Sequence, residues 1–213
     1  MVFANRHHAA ERLASALAAY KGQHPLILAI PRGAVPMGQQ LAKALDGDLD
    51  VVLVRKLRAP FNPEFAIGSI DESGWSYIAD YAESAGGTPT YLAQEKQTQL
   101  DTIRKRRAQY TPLRPPIDPA GRVVIVVDDG LATGATMISA LHALRAKNPA
   151  RLICAVPVAP PDTLEKIRGY ADEVVCLQTP MFFQAVGQFY ADFPQVDDAE
   201  VIAILREAGQ PSS

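Results

Sequence analysis

The sequence predicts an α/β protein: an open, mainly parallel twisted sheet flanked by helices, with an insertion and a small C-terminal piece. Three observations predict it. Short runs of Val, Ile and Leu recur along the chain, too uniformly apolar to leave one face wet, as expected of parallel strands covered on both sides. Amphipathic helical patterns separate these runs, and strand–helix alternation is the signature of an open α/β sheet. The chain has 213 residues, 48% of them hydrophobic and 21% charged, enough to bury one core without metal or disulfide staples.

The predicted strands are Leu26–Ile30, Val51–Val54, Val123–Val127, Leu152–Val158 and Glu173–Leu177. Glu11–Tyr20 is a helix candidate rich in Ala and Leu. Pro36–Leu45 opens with proline in the first turn, where the missing N–H costs nothing. In Thr136–Arg145, Met137, Ile138, Leu141 and Leu144 fall on one face. Pro161–Tyr170 and Asp197–Glu207 are further helices, with Asp197-Asp198 suited to a helix start. Two regions break the rhythm. Glu64–Ala79, with Trp75 and Tyr77, reads as an antiparallel hairpin, and Tyr91–Tyr110 as a long polar helix. Residues 1–213 are therefore read as a single domain with an insertion over 57–119 and a C-terminal subdomain over 178–213.

The formal net charge of −2 gives no whole-chain reason to expect nucleic acid or an anionic membrane as partner. Cys154 and Cys176 each sit in an apolar run and read as buried thiols of a reducing compartment. No apolar stretch approaches the ~20 residues that span a bilayer, and Met1–Arg6 leads into charge rather than a signal core. The expectation is a cytoplasmic protein.

The most informative segment is the strand Val123–Val127 followed by Asp128-Asp129-Gly130-Leu131-Ala132-Thr133-Gly134-Ala135-Thr136. Ligands of open parallel sheets bind beyond the carboxyl ends of the strands. Amides at a helix N-terminus have no intrahelical partner and favour an anion. The small residues of Ala132–Thr136 let a phosphate approach those amides, and the threonine hydroxyls add donors. Asp128 and Asp129 would repel the same anion. They suit vicinal sugar hydroxyls, with or without a divalent cation. A phosphate and a diol side by side describe ribose 5-phosphate. The rival phosphate loops are absent: there is no Gly-x₄-Gly-Lys-Ser/Thr string and no Gly-x-Gly-x-x-Gly after a strand.

An apolar strand, Asp-Asp, then Thr-Gly-x-Thr resembles the phosphoribosyl-diphosphate motif of type I phosphoribosyltransferases. The resemblance implies that family's fold and the transfer of a phosphoribosyl group from phosphoribosyl diphosphate to a nitrogen acceptor, with diphosphate released. It implies Mg²⁺ as cofactor, Asp128 and Asp129 on the ribose hydroxyls and the metal, Ala132, Thr133, Gly134, Ala135 and Thr136 on the 5-phosphate, and a homodimer. Two further loops match the family. Pro31-Arg32-Gly33 after Leu26–Ile30 resembles its diphosphate loop, which often carries a cis peptide, so Arg32 and Gly33 are carried over as diphosphate contacts. Arg55-Lys56 after Val51–Val54 resembles the pair that precedes a mobile lid; both are candidate diphosphate contacts, with Lys56 also placed at the reacting centre.

The segment Thr179–Phe193 holds five of the chain's Phe and Tyr residues, of which there are 7 each. It is expected to form a hood over the acceptor, with Phe182 or Phe183 at the acceptor pocket, or else a packed subdomain. It does not align with purine or orotate enzymes and resembles an uncharacterised bacterial branch, which leaves the acceptor open. His7-His8 on a helix face different ways and read as solvated rather than metal-binding. Arg104–Arg107 read as a solvated helix face. The competing functions are a non-catalytic phosphoribosyl diphosphate or nucleotide sensor and a hydrolase of phosphorylated sugars, since fold does not fix function.

Overall fold

The computed structural model describes residues 1–210. In chain order the elements are α1 (Arg6–Ala16), β1 (Leu26–Ala29), α2 (Val35–Leu45), β2 (Asp48–Val51), β3 (Val54–Ala59), β4 (Asn62–Asp71), β5 (Ser76–Ile78), α3 (Pro89–Tyr110), β6 (Val123–Val127), α4 (Ala135–Arg145), β7 (Arg151–Val158), α5 (Pro161–Arg168), β8 (Glu173–Gln178) and α6 (Asp198–Ala208). Five strands form a parallel sheet in the order β2-β1-β6-β7-β8. The remaining three form a separate antiparallel sheet, β3-β4-β5.

Why the parallel strands are so uniformly apolar follows from their surroundings. Ile27, Ala29, Ile125, Val127, Ile153 and Ala155 face a core shared with α1, α2 and α6. Their alternates Leu26, Leu28, Val124, Val126, Leu152 and Cys154 face another shared with α4 and α5. Each fully buried Val, Leu or Ile contributes ~1.5–3 kcal/mol, so neither face tolerates a polar alternation. Helix starts follow their caps. Asn5 and Asp197 accept from the amides of His8 and Glu200 at 2.9 and 2.8 Å, and Thr88 caps α3 with Pro89 behind it.

The structure corrects the reading of Val51–Val54 as one strand. β2 ends at Val51, and β3 begins at Val54, which pairs antiparallel with Asp71. The apolar run is continuous because each sheet buries its own half, so hydrophobicity carries no mark of the change of partner. Asp50, buried at this corner, accepts from the amides of Val51 (2.7 Å) and Ile117 (2.9 Å). It thereby pins the segment between α3 and β6 to the sheet. Its carboxyl is pushed above the ordinary range by burial, against the pull of those amides.

A second correction concerns the lid. Arg55 and Lys56 lie within β3 rather than before an irregular loop. Pro60 and Phe61 form the tip of a regular β3–β4 hairpin, whose register slips at Leu57/Arg58 and Arg58/Ala59. Such bulges re-aim side chains and often sit beside functional sites. Helix α3 braces this hairpin. Glu95 accepts from the Arg58 amide (3.0 Å) and from Gln99 (2.9 Å), Gln99 accepts from Arg55 Nε (2.9 Å), and the Tyr91 hydroxyl donates to the Arg58 carbonyl. The second sheet is tied to the main one through Ser69 of β4. Its hydroxyl donates to the Ala135 carbonyl and shares a buried 2.6 Å hydrogen bond with Ser139 of α4.

The C-terminal segment is mostly irregular between β8 and α6, and α6 packs back on α2 and β2. Residues 211–213, the end of the expected C-terminal piece, lie outside the described residues. Cys154 is buried and Cys176 half-buried, both as free thiols. Among the described residues no helix is long and apolar enough to cross a membrane.

Candidate active site

In the order β2-β1-β6-β7-β8 the chain runs outward in opposite directions from the β1–β6 pair. The crevice outside the carboxyl ends of those two strands is where open α/β sheets bind ligands. There the structure holds a cavity of about 640 Å³. Its walls come from the turn after β1, the loop after β6, the β3–β4 hairpin, Arg106 of α3 and the segment Gln184–Val196.

The loop after β6 contributes the anion cradle. Gly134 adopts φ +79 as the residue before α4, a conformation that side chains rarely accept, and a Cβ there would lie 2.8 Å from Thr163. Thr163 also donates to the Ala132 carbonyl at 2.6 Å, which fixes the loop from α5. Among the described residues no hydrogen bond takes the amides of Ala132, Thr133, Gly134 or Thr136. Only the Ala135 amide has a partner, a long contact of 3.4 Å to its neighbour Thr133 Oγ1. Free amides converging at a helix start are what an anion requires.

Asp128 and Asp129 stand at the other end of this loop. Asp128 Oδ1 accepts from the Asp129 amide at 2.9 Å. Asp129 Oδ2 accepts from Arg6 Nε at 3.0 Å and forms an ion pair with Nη2 at the same distance. Burial pushes both carboxyls above the ordinary range. Asp128 is raised well above it, with the charge of Asp129 adding to the effect, while Arg6 pulls Asp129 back and Lys56 draws both down. An acidic pair held this way is poised to accept hydroxyl donors or a cation. Two carboxylates cannot complete six oxygen ligands for Mg²⁺, and among the described residues no group of three potential ligands exists. The residues fit the ion only where phosphate oxygens and water supply the rest, which is how Mg²⁺ ordinarily meets nucleotides.

The turn after β1 carries the Pro31–Arg32 peptide in the cis form. A Cβ on Gly33 would fall 2.3 Å from Asp129 Oδ2. Only glycine lets this turn approach the acidic pair so closely. Arg32 lines the cavity and also reaches Asp198 at 3.6 Å. Opposite stand Arg55, Lys56 and Arg58 of β3, with Arg106 beside them. Desolvation and this crowding of cations lower the Arg55 pKa from its usual value. The cavity thus pairs a cation-rich wall with a carboxylate pair, although the chain as a whole carries −2.

The structure therefore brings Arg32, Gly33, Arg55, Lys56, Asp128, Asp129 and Ala132–Thr136 to one cavity. It does not bring Phe182 or Phe183 there. Phe182 is 89% exposed, and Phe183 packs on Phe189 at 5.1 Å between ring centroids. Within the C-terminal segment the aromatic residue in the wall is Phe193, with Val186 nearby, and β4 adds Phe65. Aromatic content located the segment, but not which ring turns inward. Sequence reasoning also missed Arg6, Arg58 and Arg106. The two hairpin and α3 arginines could have been sought by asking which basic residues share a side with Arg55. Arg6 lies 123 positions from its partner and left no local signal.

Residues 1–194 match the family described as the phosphoribosyl transferase domain. The chain belongs to that family. Two Mycobacterium tuberculosis proteins, from strains CDC 1551 and H37Rv, provisionally named phosphoribosyl transferases, are each 41% identical to it over 210 residues. That alignment takes in 97% of the chain but 47% of each relative, so the chain spans about half their length. The crystal structure of TT1426 from Thermus thermophilus is 44% identical, with a TM-score of 0.82 over 99% of this chain and all of that one. A hypoxanthine-guanine phosphoribosyltransferase from Bacillus anthracis covers 90% of the chain at 13% identity and a TM-score of 0.47, too remote to bear on the acceptor. The five-stranded parallel sheet flanked by helices is the fold of the family.

Proposed function

We propose that the chain binds phosphoribosyl diphosphate and transfers its phosphoribosyl group to a nitrogen acceptor, releasing diphosphate. The observation that carries this reading is the pairing of the unbonded amides of Ala132, Thr133, Gly134 and Thr136 with the acidic pair at the opposite end of the same loop, facing a cationic wall. The amides and threonine hydroxyls take the 5-phosphate, while Asp128 and Asp129 accept the ribose hydroxyls. Arg32, Arg55 and Lys56 meet the diphosphate, guanidinium groups suiting bidentate phosphate contact. Positive charge grows on the sugar as the bond to diphosphate breaks. The acidic pair lies where it stabilises that charge, and the cationic wall where it stabilises the leaving group.

Mg²⁺, held by Asp128 and Asp129 together with substrate oxygens, would neutralise the leaving diphosphate. The β3–β4 hairpin, braced by α3, adds Glu64, Phe65 and Ala66 of β4 to the cavity wall. Acceptor identity is drawn no more finely than a planar nitrogen heterocycle approaching from the Val186–Phe193 side.

Diphosphate release on mixing with phosphoribosyl diphosphate, Mg²⁺ and a panel of bases tests the reading. Base-dependent release supports transfer. Binding without release supports a sensor, and release without base a hydrolase.

A further inference from the structure

Three distant parts of the chain converge on Asp129. The first is Arg6, in the first turn of α1, whose side chain is 12% exposed and sets two nitrogens 3.0 Å from one oxygen, Oδ2, with Nε donating to it. The ion pair engages Oδ2 alone and leaves Oδ1 outside it. The second is the C-terminal segment. The Arg6 guanidinium lies 3.9 Å from the centre of the Phe193 ring and donates to the Pro194 carbonyl. Phe193 stacks on Tyr190 at 4.7 Å, and the Tyr190 hydroxyl donates to the Asp129 carbonyl at 2.6 Å. The third is Gly33, whose missing Cβ makes room for both Asp129 and Arg6. The N-terminal segment is itself fixed by backbone bonds from Phe3 to Phe189 (2.8 Å), Ala191 to Phe3 (2.8 Å) and Asp192 to Ala4 (3.0 Å).

The arrangement does more than anchor a terminus. Guanidinium stays charged at any working pH and, unlike a metal ion, cannot leave. Its aromatic platform adds a cation–π contact that holds it in place. It compensates one carboxylate of a like-charged pair at a site meant for a polyanion, and it commits one oxygen only.

We propose that Arg6 is a positioning residue. It is the resident counter-ion of Asp129, fixing that carboxylate for the ribose hydroxyls and keeping free Mg²⁺ off it until phosphoribosyl diphosphate brings the ion. The inference rests on the phosphoribosyl reading and assigns Arg6 a role in it.

Calorimetry with two probes, Mg²⁺ alone and phosphoribosyl diphosphate in excess Mg²⁺, tests it on wild type, Arg6→Gln, Asp129→Asn and the double variant. Wild type gives no Mg²⁺ isotherm without substrate. Arg6→Gln gains one, and the double variant loses it again. Arg6→Gln weakens phosphoribosyl diphosphate binding about 10- to 100-fold, the usual effect of removing a group that orients a ligand-binding side chain. The same change made on Asp129→Asn weakens binding little further. Arg6→Lys, which keeps the charge but not the planar guanidinium, recovers part of the loss and serves if Arg6→Gln does not fold. The inference is overturned if Arg6→Gln or, failing that, Arg6→Lys binds both probes as wild type does. It is equally overturned if the losses from Arg6→Gln and Asp129→Asn simply add, as a bracing role alone would give. Failure of wild type to bind phosphoribosyl diphosphate is a separate result and overturns the phosphoribosyl reading with it.

Discussion

Replacing Gly33 by alanine adds one methyl group at the closest approach in the site. The new Cβ would lie 2.3 Å from Asp129 Oδ2, 3.3 Å from the carboxylate carbon and 3.2 Å from Arg6 Nη2. An ordinary contact needs roughly 3.4 Å or more, so something must move by about 1 Å. Asp129 cannot yield freely, because Arg6 holds Oδ2 from two nitrogens and Tyr190 holds the backbone oxygen. The turn carrying Arg32 must therefore withdraw, or the acidic pair must rotate away from the sugar. Either displaces a ligand group by a distance that ordinarily costs ~100-fold in rate. Overpacking of this size costs the fold only ~1–3 kcal/mol, and the site lies beyond the carboxyl ends of β1 and β6 rather than within the core. Gly33→Ala is thus expected to melt cooperatively, slightly below wild type. Its affinity for phosphoribosyl diphosphate with Mg²⁺ should fall at least tenfold in calorimetry. Wild-type affinity in a folded Gly33→Ala protein would refute the close-packed geometry assigned to this turn and to Asp129.

Other expectations follow from the same geometry. Asp128→Asn should abolish binding and turnover yet raise Tm at pH 7. The folded-state pKa of Asp128 lies above its unfolded value, so the native chain binds the extra proton and its stability falls as pH climbs from the model-peptide range through the raised value. The Tm advantage of Asp128→Asn should therefore vanish in melts run in acid, below both values. Lys56→Met should weaken phosphoribosyl diphosphate binding about tenfold in calorimetry, and should flatten its decline with added salt, since one cation of the wall is gone. Glu95→Ala releases the Arg58 amide and Gln99, and through Gln99 the Arg55 guanidinium. Faster amide hydrogen exchange across residues 54–66 is expected, with Tm lowered by no more than a few degrees. Phe182→Ala should leave both Tm and phosphoribosyl diphosphate affinity unchanged, because the ring is solvent-exposed; a loss in either would return Phe182 to the site.

The elements most legible in the sequence were those where a single physical cause dominates. Strands β1, β6 and β7 are buried on both faces, and their Val, Ile and Leu content follows from that alone; the edge strand β8 is half-buried on both. The phosphate loop was legible because backbone chemistry, small residues and two carboxylates all fall within one continuous string from Asp128 to Thr136. The misreadings came where one run served two partners. Val51–Val54 is apolar in both sheets, so the break between β2 and β3 was invisible. The β3–β4 hairpin is hidden as well, because Pro60, Asn62 and Pro63 punctuate the sequence without revealing the cross-strand pairs. Arg6 was illegible for a different reason. Its role depends on the N-terminal and C-terminal segments meeting over β6, a contact that only the assembled sheet creates.

A crystal of the wild-type chain soaked with ribose 5-phosphate tests the central claim most directly. The phosphate is expected within hydrogen-bonding distance of the amides between Thr133 and Thr136, with the ribose hydroxyls turned toward Asp128 and Asp129. Density for the ligand elsewhere, or an unoccupied loop at saturating ligand, would contradict the account.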